Sequence, residues 1–600
     1  MTPTQIIQRL NSVLVDQSIR NEMLANYFYM YGHSTLYGPN SSVYNAGRNA
    51  PKLNIVQSCV DTLVNKISKN QPRATFLTDN GDWGMKKKAE QREKFVYGQF
   101  FKSDAYKKGP FVLLQALVYG DGFFKVYNDE KEIKIENVLT LEMVFDDKDA
   151  LYGKPQQCWQ IKYVSKETLQ AAYPNHKEDI TNVQTTNMPF YMSGVVQTDM
   201  VTVVEYWKLP NKKVGKEWKG GFHSIVCGDV ELMKEEWDAP FFPFAHIGYV
   251  KNLVGFWSKG VTEVIYDQQI EVNRTLKRIS DALRLVASPK VLYEYNSKIV
   301  QSHFNNDVGA MLGYLGTPPQ FIMPQAVGPE LFKYLEDTIQ RAYAEVGISQ
   351  LSAASQKPAG LNSGKALREY NDLETERFAA LAKNYENMYV DLAELVLWQA
   401  KKIQQQYGKY SVLAPDSRGC EIINFKDIDM DQDSYVIQVY PTSMLPKTPA
   451  GRLEYVQEML GAGLITPEEG LELLDFPDTQ KITKLKTSEL DDILTIIDLM
   501  LDTDQYMPPE PYQNLSLGVK YMNKAYLYYK NQKCPEEKLE LLIRWMNDAI
   551  MMLESQNEQA QEPIMNSQDI NVAEADAPIA QDEMEAQMIA EQQVAEQPMI

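Results

Sequence analysis

Residues 346–366 read VGISQLSAASQKPAGLNSGKA, a run rich in Gly, Ser, Ala and Pro set between two helical patterns. Before it, Phe332, Leu335, Ile339, Ala342 and Val346 recur at three- and four-residue spacing, so 329–346 is expected as a helix with one apolar face. Within the run, Gly347, Gly360, Gly364 and Pro358 stop a helix and permit turns. After it, Phe378, Leu381, Tyr385, Met388, Leu392 and Leu395 share a stripe, and no Gly or Pro interrupts the chain from Lys365 to Tyr407. That pattern predicts one helix from about Ser363 to Tyr407, roughly 65 Å long at 1.5 Å per residue. A single compact domain seldom needs such a rod. Its stripe calls for several packing layers or for neighbouring copies, so an assembly is expected.

The same run imitates a phosphate-binding loop at Ala359–Ala366. Such a loop needs Gly at its first position and a Ser or Thr after Gly-Lys to hold magnesium. Here those positions are Ala359 and Ala366, and no buried strand precedes them. A hinge ending at a Ser363 helix cap accounts for the residues better. Other catalytic patterns fail in the same way. Asp427, Asp429, Asp431 and Asp433 have the spacing of a calcium loop, but Gln432 and Gln438 stand where Gly and Glu are needed. Asp146, Asp147 and Asp149 after Phe145 read as a turn. No Gly-x-Ser-x-Gly nucleophile setting occurs, and the five cysteines (Cys59, Cys158, Cys227, Cys420, Cys534) and five histidines are scattered. The reading is a non-enzyme with no cofactor and no metal, in a reducing compartment.

Charge narrows the classes further. The 600 residues carry a net charge of −20, and residues 554–600 hold eleven Asp and Glu with no Lys or Arg. No contiguous basic patch supports tight binding of nucleic acid by counterion release. The longest uncharged run, Val308–Pro329, holds four Gly and four Pro, which excludes a membrane helix. A soluble protein with no membrane partner is expected.

Along the chain, 1–70 reads as helical, 84–120 as two helices, and Gly120–Val138 as an antiparallel hairpin with alternation in Ile133, Ile135 and Val138. Strands near 157–164, 201–208, 222–232 and 243–250 complete an α+β region to about 255. A helix over 260–286 follows, with Ile265, Val272, Ile279 and Val286 repeating every seven residues. Short strands fill 287–328, strands return near 419–425 and 435–440, and the remainder is helical. Thr466-Pro467-Glu468-Glu469 has the form of a helix start. Residues 555–600 are rich in Gln, Glu and Ala, lack aromatics and read as disordered apart from nascent helix.

Three phrases in this order resemble the portal proteins of tailed double-stranded DNA bacteriophages, over roughly 40–480. They are Gly120-Asp121-Gly122-Phe123-Phe124-Lys125-Val126; Phe256-Trp257-Ser258-Lys259-Gly260 leading into a helix with Asn273 at its middle and Ser288-Pro289-Lys290-Val291-Leu292 after it; and Val346-Gly347-Ile348-Ser349 followed by Gly360–Leu367. The resemblance implies an α+β portal-type fold: helices and wing (1–255), first stem helix (256–286), clip (287–328), second stem helix (329–346), tunnel loop (347–364), long helix and return strands of the wing (365–448), helical crown (449–554) and acidic tail (555–600). It implies a ring, commonly a dodecamer, at a capsid vertex of the virion, assembled in the host cytoplasm. The implied partners are further copies of itself, the terminase large subunit, the major capsid and scaffolding proteins, a tail adaptor and, transiently, double-stranded DNA. By the same resemblance Lys357, Asn362, Ser363, Lys365 and Arg368 would face the DNA channel, and Tyr314, Leu315 and Phe321 of the clip would dock the motor or adaptor. The alternative for the three basic residues is ordinary solvated charge at a helix start. The alternative for the whole chain is another virion protein, a scaffold or minor head protein, or less readily a nucleic-acid enzyme.

Overall fold

The computed structural model describes residues 1–32, 51–69, 71–78, 83–152, 154–185, 199–214, 217–287, 290–296, 317–318, 320–322, 328–349, 376–416, 419–428, 435–441, 449–465, 470, 473 and 480–560. The chain mixes helix and sheet, and it divides into two compact units, Met1–Thr466 and Pro467–Ile600. Among the described residues no helix is long and apolar enough to cross a membrane.

The first unit is built on two antiparallel sheets. Strand Asp121–Asp129 lies between Phe244–Gly248 and Glu132–Val138 in a three-stranded sheet. Its first six residues are all buried, so both of its faces are covered. The Glu132–Val138 strand alternates over its first part, burying Ile133 and Ile135 on one face, while Val138 at its end is buried in a different cluster. Five strands form the second sheet, in the spatial order Val230–Trp237, Gly221–Cys227, Met200–Lys208, Gln157–Ser165, Met143–Phe145. Helices Ala105–Tyr119 and Ala379–Tyr407 pack on the three-stranded sheet. The second of these buries Leu381, Tyr385, Met388, Leu392 and Leu395, the stripe read from the sequence, and adds Tyr389 stacked on Tyr106 at 5.4 Å.

Several elements differ from the sequence reading. The helix expected over 363–407 is interrupted at Phe378 (φ −98°, ψ 3°), with Glu376 and Arg377 helical before it and Ala379–Tyr407 after it; 350–375 lie outside the described residues. The helix expected over 260–286 is broken at Ile265 (φ −108°, ψ 19°), whose side chain is fully buried, giving Val261–Val264 and Tyr266–Ala287. The strand expected over 222–232 is a hairpin turning at Gly228, which takes a positive φ of 59°. The second of the two helices expected over 84–120 is Ala105–Tyr119, which carries Pro110 inside it. Strand Pro72–Leu77, unforeseen, pairs with Val436–Pro441, and the unforeseen Ser411–Asp416 pairs with Gly419–Asn424. The acidic cluster after Phe145 is a turn as expected, with the Asp146 side chain accepting the Lys148 N–H at 2.9 Å. Of the calcium-like cluster, 429–434 lie outside the described residues, as does the helix start at 466–469.

The second unit contains helices Gln480–Thr503, Leu515–Asn531 and Glu536–Ala560, so helix continues six residues into the segment read as disordered. Trp545 is fully buried against Gly518, and the Lys538 ammonium donates to the Leu501 carbonyl at 2.5 Å near the end of the first helix.

An ionic chain, largely buried at Lys125, Glu205 and His223 and ending at the half-exposed Glu235, joins the two sheets of the first unit. Lys125, on the three-stranded sheet, donates to Glu205 at 2.5 Å; Glu205 also meets His223 at 3.1 Å, and His223 meets Glu235 at 2.8 Å. Burial works to raise Glu205, but Lys125 and His223 outweigh it and hold this carboxylate far below the usual range. Burial alone would depress His223, yet its bonds to Glu205 and Glu235 raise it above its ordinary 6.5. A histidine raised on folding stabilises fully below that ordinary value and loses the contribution as pH rises through its folded value. Thermal melting should therefore fall between mildly acidic and mildly alkaline pH, and His223→Gln should flatten that fall. Parallel melting curves for the two proteins would show that His223 does not titrate in this role.

Candidate functional site at the root of the helix pair

The helices Tyr266–Ala287 and Pro329–Val346 run antiparallel, the start of one against the end of the other, with Gln268 donating to Glu345 at 2.6 Å. Their root is assembled from the glycine- and aromatic-rich phrases of the sequence. Gly120 sits at φ 101°, a region closed to most side chains, and a Cβ there would lie 2.0 Å from the Ser258 carbonyl oxygen. The chain entering the helix pair is thus pressed against the start of the sheet strand. Asp121, fully buried, accepts the Ser258 N–H at 2.9 Å and bonds His246 Nε2 at 2.8 Å. One carboxylate ties together the central strand, its neighbour and the segment leading into the helices.

Aromatic packing closes the root. His246 stacks on Phe123 and Phe256, each at 4.9 Å. The Arg20 guanidinium lies 3.3 Å from the centre of the Trp257 ring. Burial pushes Arg20 down to about 10, against the pull of Asp121 and Asp147.

Above the root, two buried amides clamp the first long helix to the N-terminal helices. Gln269 Oε1 accepts the N–H groups of Ile55 and Val56 at 2.8 and 3.2 Å, and its Nε2 donates to the Leu53 carbonyl at 2.7 Å. These are free donors of the first turn of helix Ile55–Ile67, so Gln269 acts as a cap supplied from another helix. Asn273 Oδ1 accepts the Leu53 N–H at 3.1 Å. Asn273 was noted in the sequence as part of a phrase, without a role. Gln269 was missed, though a Gln and an Asn four apart beside Ile265 and Val272 are polar groups on an apolar face.

Burial falls off with distance from this root. Val272 and Ile279 are sealed, whereas Leu283 and Leu285 are 49% and 51% exposed, and Phe332 and Tyr334 are each 46% exposed. Strands Lys290–Leu292 and Gln320–Ile322 pair antiparallel beyond them, with Phe321 opposite Val291. At the other end, Gly347 closes helix Pro329–Val346 at φ 87°, its N–H donating to Ala344 and that of Ile348 to Tyr343. A Cβ at Gly347 would meet the Arg377 guanidinium at 3.0 Å, so the chain leaves and re-enters the described structure at one place. Lys357, Asn362, Ser363, Lys365, Arg368, Tyr314 and Leu315 lie outside the described residues, and of Phe321 only the strand position is described.

A family model of phage P22-like portal proteins matches residues 11–416, a span that holds the root, the helix pair and the helix Ala379–Tyr407. The chain belongs to the P22-like portal protein family. No protein among the curated sequences compared matches it. Portal proteins are structural components of the phage virion, located at the capsid vertex, and not enzymes. The match begins earlier and ends earlier than the 40–480 read from the sequence, taking in most of the N-terminal helices that grip the root of this portal protein.

If Asp121 fastens the helix pair to the sheet, Asp121→Ala should cost about 3 kcal/mol, since it strands a buried N–H and an imidazole. Gln269→Ala should cost about 1–2 kcal/mol as a lost cap. Urea unfolding followed by tryptophan fluorescence measures both. Losses of only a few tenths for Asp121→Ala would remove it from this role.

Proposed function

We propose that this portal protein forms a closed ring, of twelve copies, at one capsid vertex. Double-stranded DNA is driven in through it by the terminase large subunit and leaves through it at ejection, and the tail adaptor docks on it. The ring assembles in the host cytoplasm with the major capsid and scaffolding proteins. The observation that carries this reading is the gradient of burial along the helix pair. Each fully buried side chain of this size is worth about 1.5–3 kcal/mol, and Leu283, Leu285, Phe332 and Tyr334 gain little of that within one chain. Identical copies set side by side around an axis would cover them, a head-to-tail contact that closes when the rotation divides the circle.

In this reading 1–255 and 365–448 form the wing, 256–286 and 329–346 the stem, 287–328 the clip and 347–364 the tunnel loop. Residues 449–554 form the crown, and 555–600 an acidic tail. Tyr314, Leu315 and Phe321 belong to the docking face for motor or adaptor. The approach of Gly347 to Arg377 supports a loop that departs from and returns to one point. A conduit must not hold DNA tightly, and a net charge of −20 with no dominant basic patch suits that task. Lys357, Lys365 and Arg368, with Asn362 and Ser363, would then touch phosphates briefly and under salt screening.

Two substitutions test the reading at different levels. Leu283→Glu with Phe332→Glu should leave a folded chain that no longer forms rings by mass photometry; rings at wild-type yield would remove the stem from the interface. Lys357→Glu with Lys365→Glu should leave rings intact but change DNA retention in packaged particles. Unaltered retention would place this loop outside the channel.

A further inference from the structure

A cavity of about 550 Å³ opens beside the root, between the three-stranded sheet and the helix Ala379–Tyr407. Its wall is aromatic, with Phe123, Phe145, Phe242 and Phe256 among the residues lining it, and Asp391 and Glu394 stand at its solvent-reachable side. At three residues' separation the two carboxylates share one face of the helix. Among the described residues neither has a hydrogen-bond or ion-pair partner. Hydrophobic ring faces carry negative quadrupole density, which attracts a cation resting on them, most strongly when water is excluded. Aromatic walls with two carboxylates at the rim therefore have the charge and polarity to take a long apolar stem ending in a positive group.

We propose that this cavity is a docking site for an arginine or lysine side chain presented by another polypeptide. The stem would lie along the phenylalanines, and the guanidinium or ammonium would meet Asp391 and Glu394. The cavity exceeds one side chain, and pockets of this size bury a drug-sized ligand or a short peptide segment. That size favours a side chain with its flanking backbone over a bare ion. Electrostatics at the mouth agree. Burial in the concavity, with Glu394 beside it, raises Asp391 to about 6, and His246 and Lys251 relieve this only in part. Burial raises Glu394 as well. An incoming cation would remove the repulsion between the two acids. Lys154, which also lines the cavity, would have to swing aside or remain at the edge. The site is independent of the ring reading, because all of it lies within one chain.

The test uses the full-length chain and three probes: the blocked tripeptide Gly-Arg-Gly, the same peptide with citrulline, and methylguanidinium. Saturable binding of the arginine peptide is expected, at least about tenfold tighter than the citrulline peptide; tenfold corresponds to about 1.4 kcal/mol. Asp391→Asn with Glu394→Gln should lose a similar factor with unchanged thermal melting, because it removes like charges rather than a pair. Glu394→Lys should block the peptide by filling the site in cis. Binding should weaken as pH falls through about 6, where Asp391 protonates. No saturable binding, equal binding of citrulline, or full binding to the Asn/Gln variant would overturn the proposal. Methylguanidinium binding as tightly as the arginine peptide would overturn the polypeptide occupant and leave a small-cation site.

Discussion

A carboxylate with no exposure to water must be fully bonded, and Asp121 is the one on which the first unit turns. Its oxygens are taken by the Ser258 N–H and by His246 Nε2, so three distant parts of the sequence meet at a single group. Gly120 makes the meeting possible, because a side chain there would occupy the space of the Ser258 carbonyl. The constraint propagates outward. Ser258 is followed by the first helix of the pair, Trp257 carries Arg20 on its ring, and His246 lies against two phenylalanines. Movement of the helix pair against the sheet would have to break the bonds of a carboxylate that is itself out of reach of water.

The two ends of the helix pair are therefore of different kinds. Near the root, Gln269 and Asn273 spend their hydrogen-bonding capacity on the backbone of another segment, and the apolar residues around them are sealed. Far from it, Leu283, Leu285, Phe332 and Tyr334 are each about half exposed, and their surface is mostly apolar. Polar clamps fix orientation, because they work only at one geometry; apolar surface tolerates small displacements. A part that must be rigid within its own subunit and adjustable toward its neighbours is well served by that division.

Legibility followed the range of the interactions. The stripes of 329–346 and of the helix from Ala379 were readable because helical burial repeats every three or four residues. The hairpin at Glu132–Val138 was readable because one face alternates. The pairing of Pro72–Leu77 with Val436–Pro441 was not, since its partners are some 360 residues apart. The break at Ile265 was hidden because Ile265 itself opens the seven-residue apolar repeat, and that at Phe378 by the absence of Gly or Pro. Of the root, the sequence displayed the Gly-Asp-Gly phrase and the Trp257–Gly260 phrase, yet nothing local says that the Asp of one bonds the Ser N–H of the other. The channel and docking residues were named from resemblance alone, and geometry for most of them lies outside the described residues.

The chain Lys125–Glu205–His223–Glu235 completes the argument about rigidity. Removing such charges from water costs several kcal/mol each, and an apolar set of similar volume would often hold the sheets together as well. What apolar residues would not supply is register. Two sheets packed only through Val and Phe can slide by a fraction of a residue at little cost, whereas a lysine inserted between a glutamate and a tryptophan ring has one seat. Because Lys125 lies on the same strand as Asp121, four residues along, the register fixed at the ionic chain is carried directly to the carboxylate at the root. The five-stranded sheet is thereby coupled to the direction in which the helix pair leaves the body. Two buried polar sites on one strand, each satisfied by a different neighbour, let a single sheet set the alignment of the whole first unit.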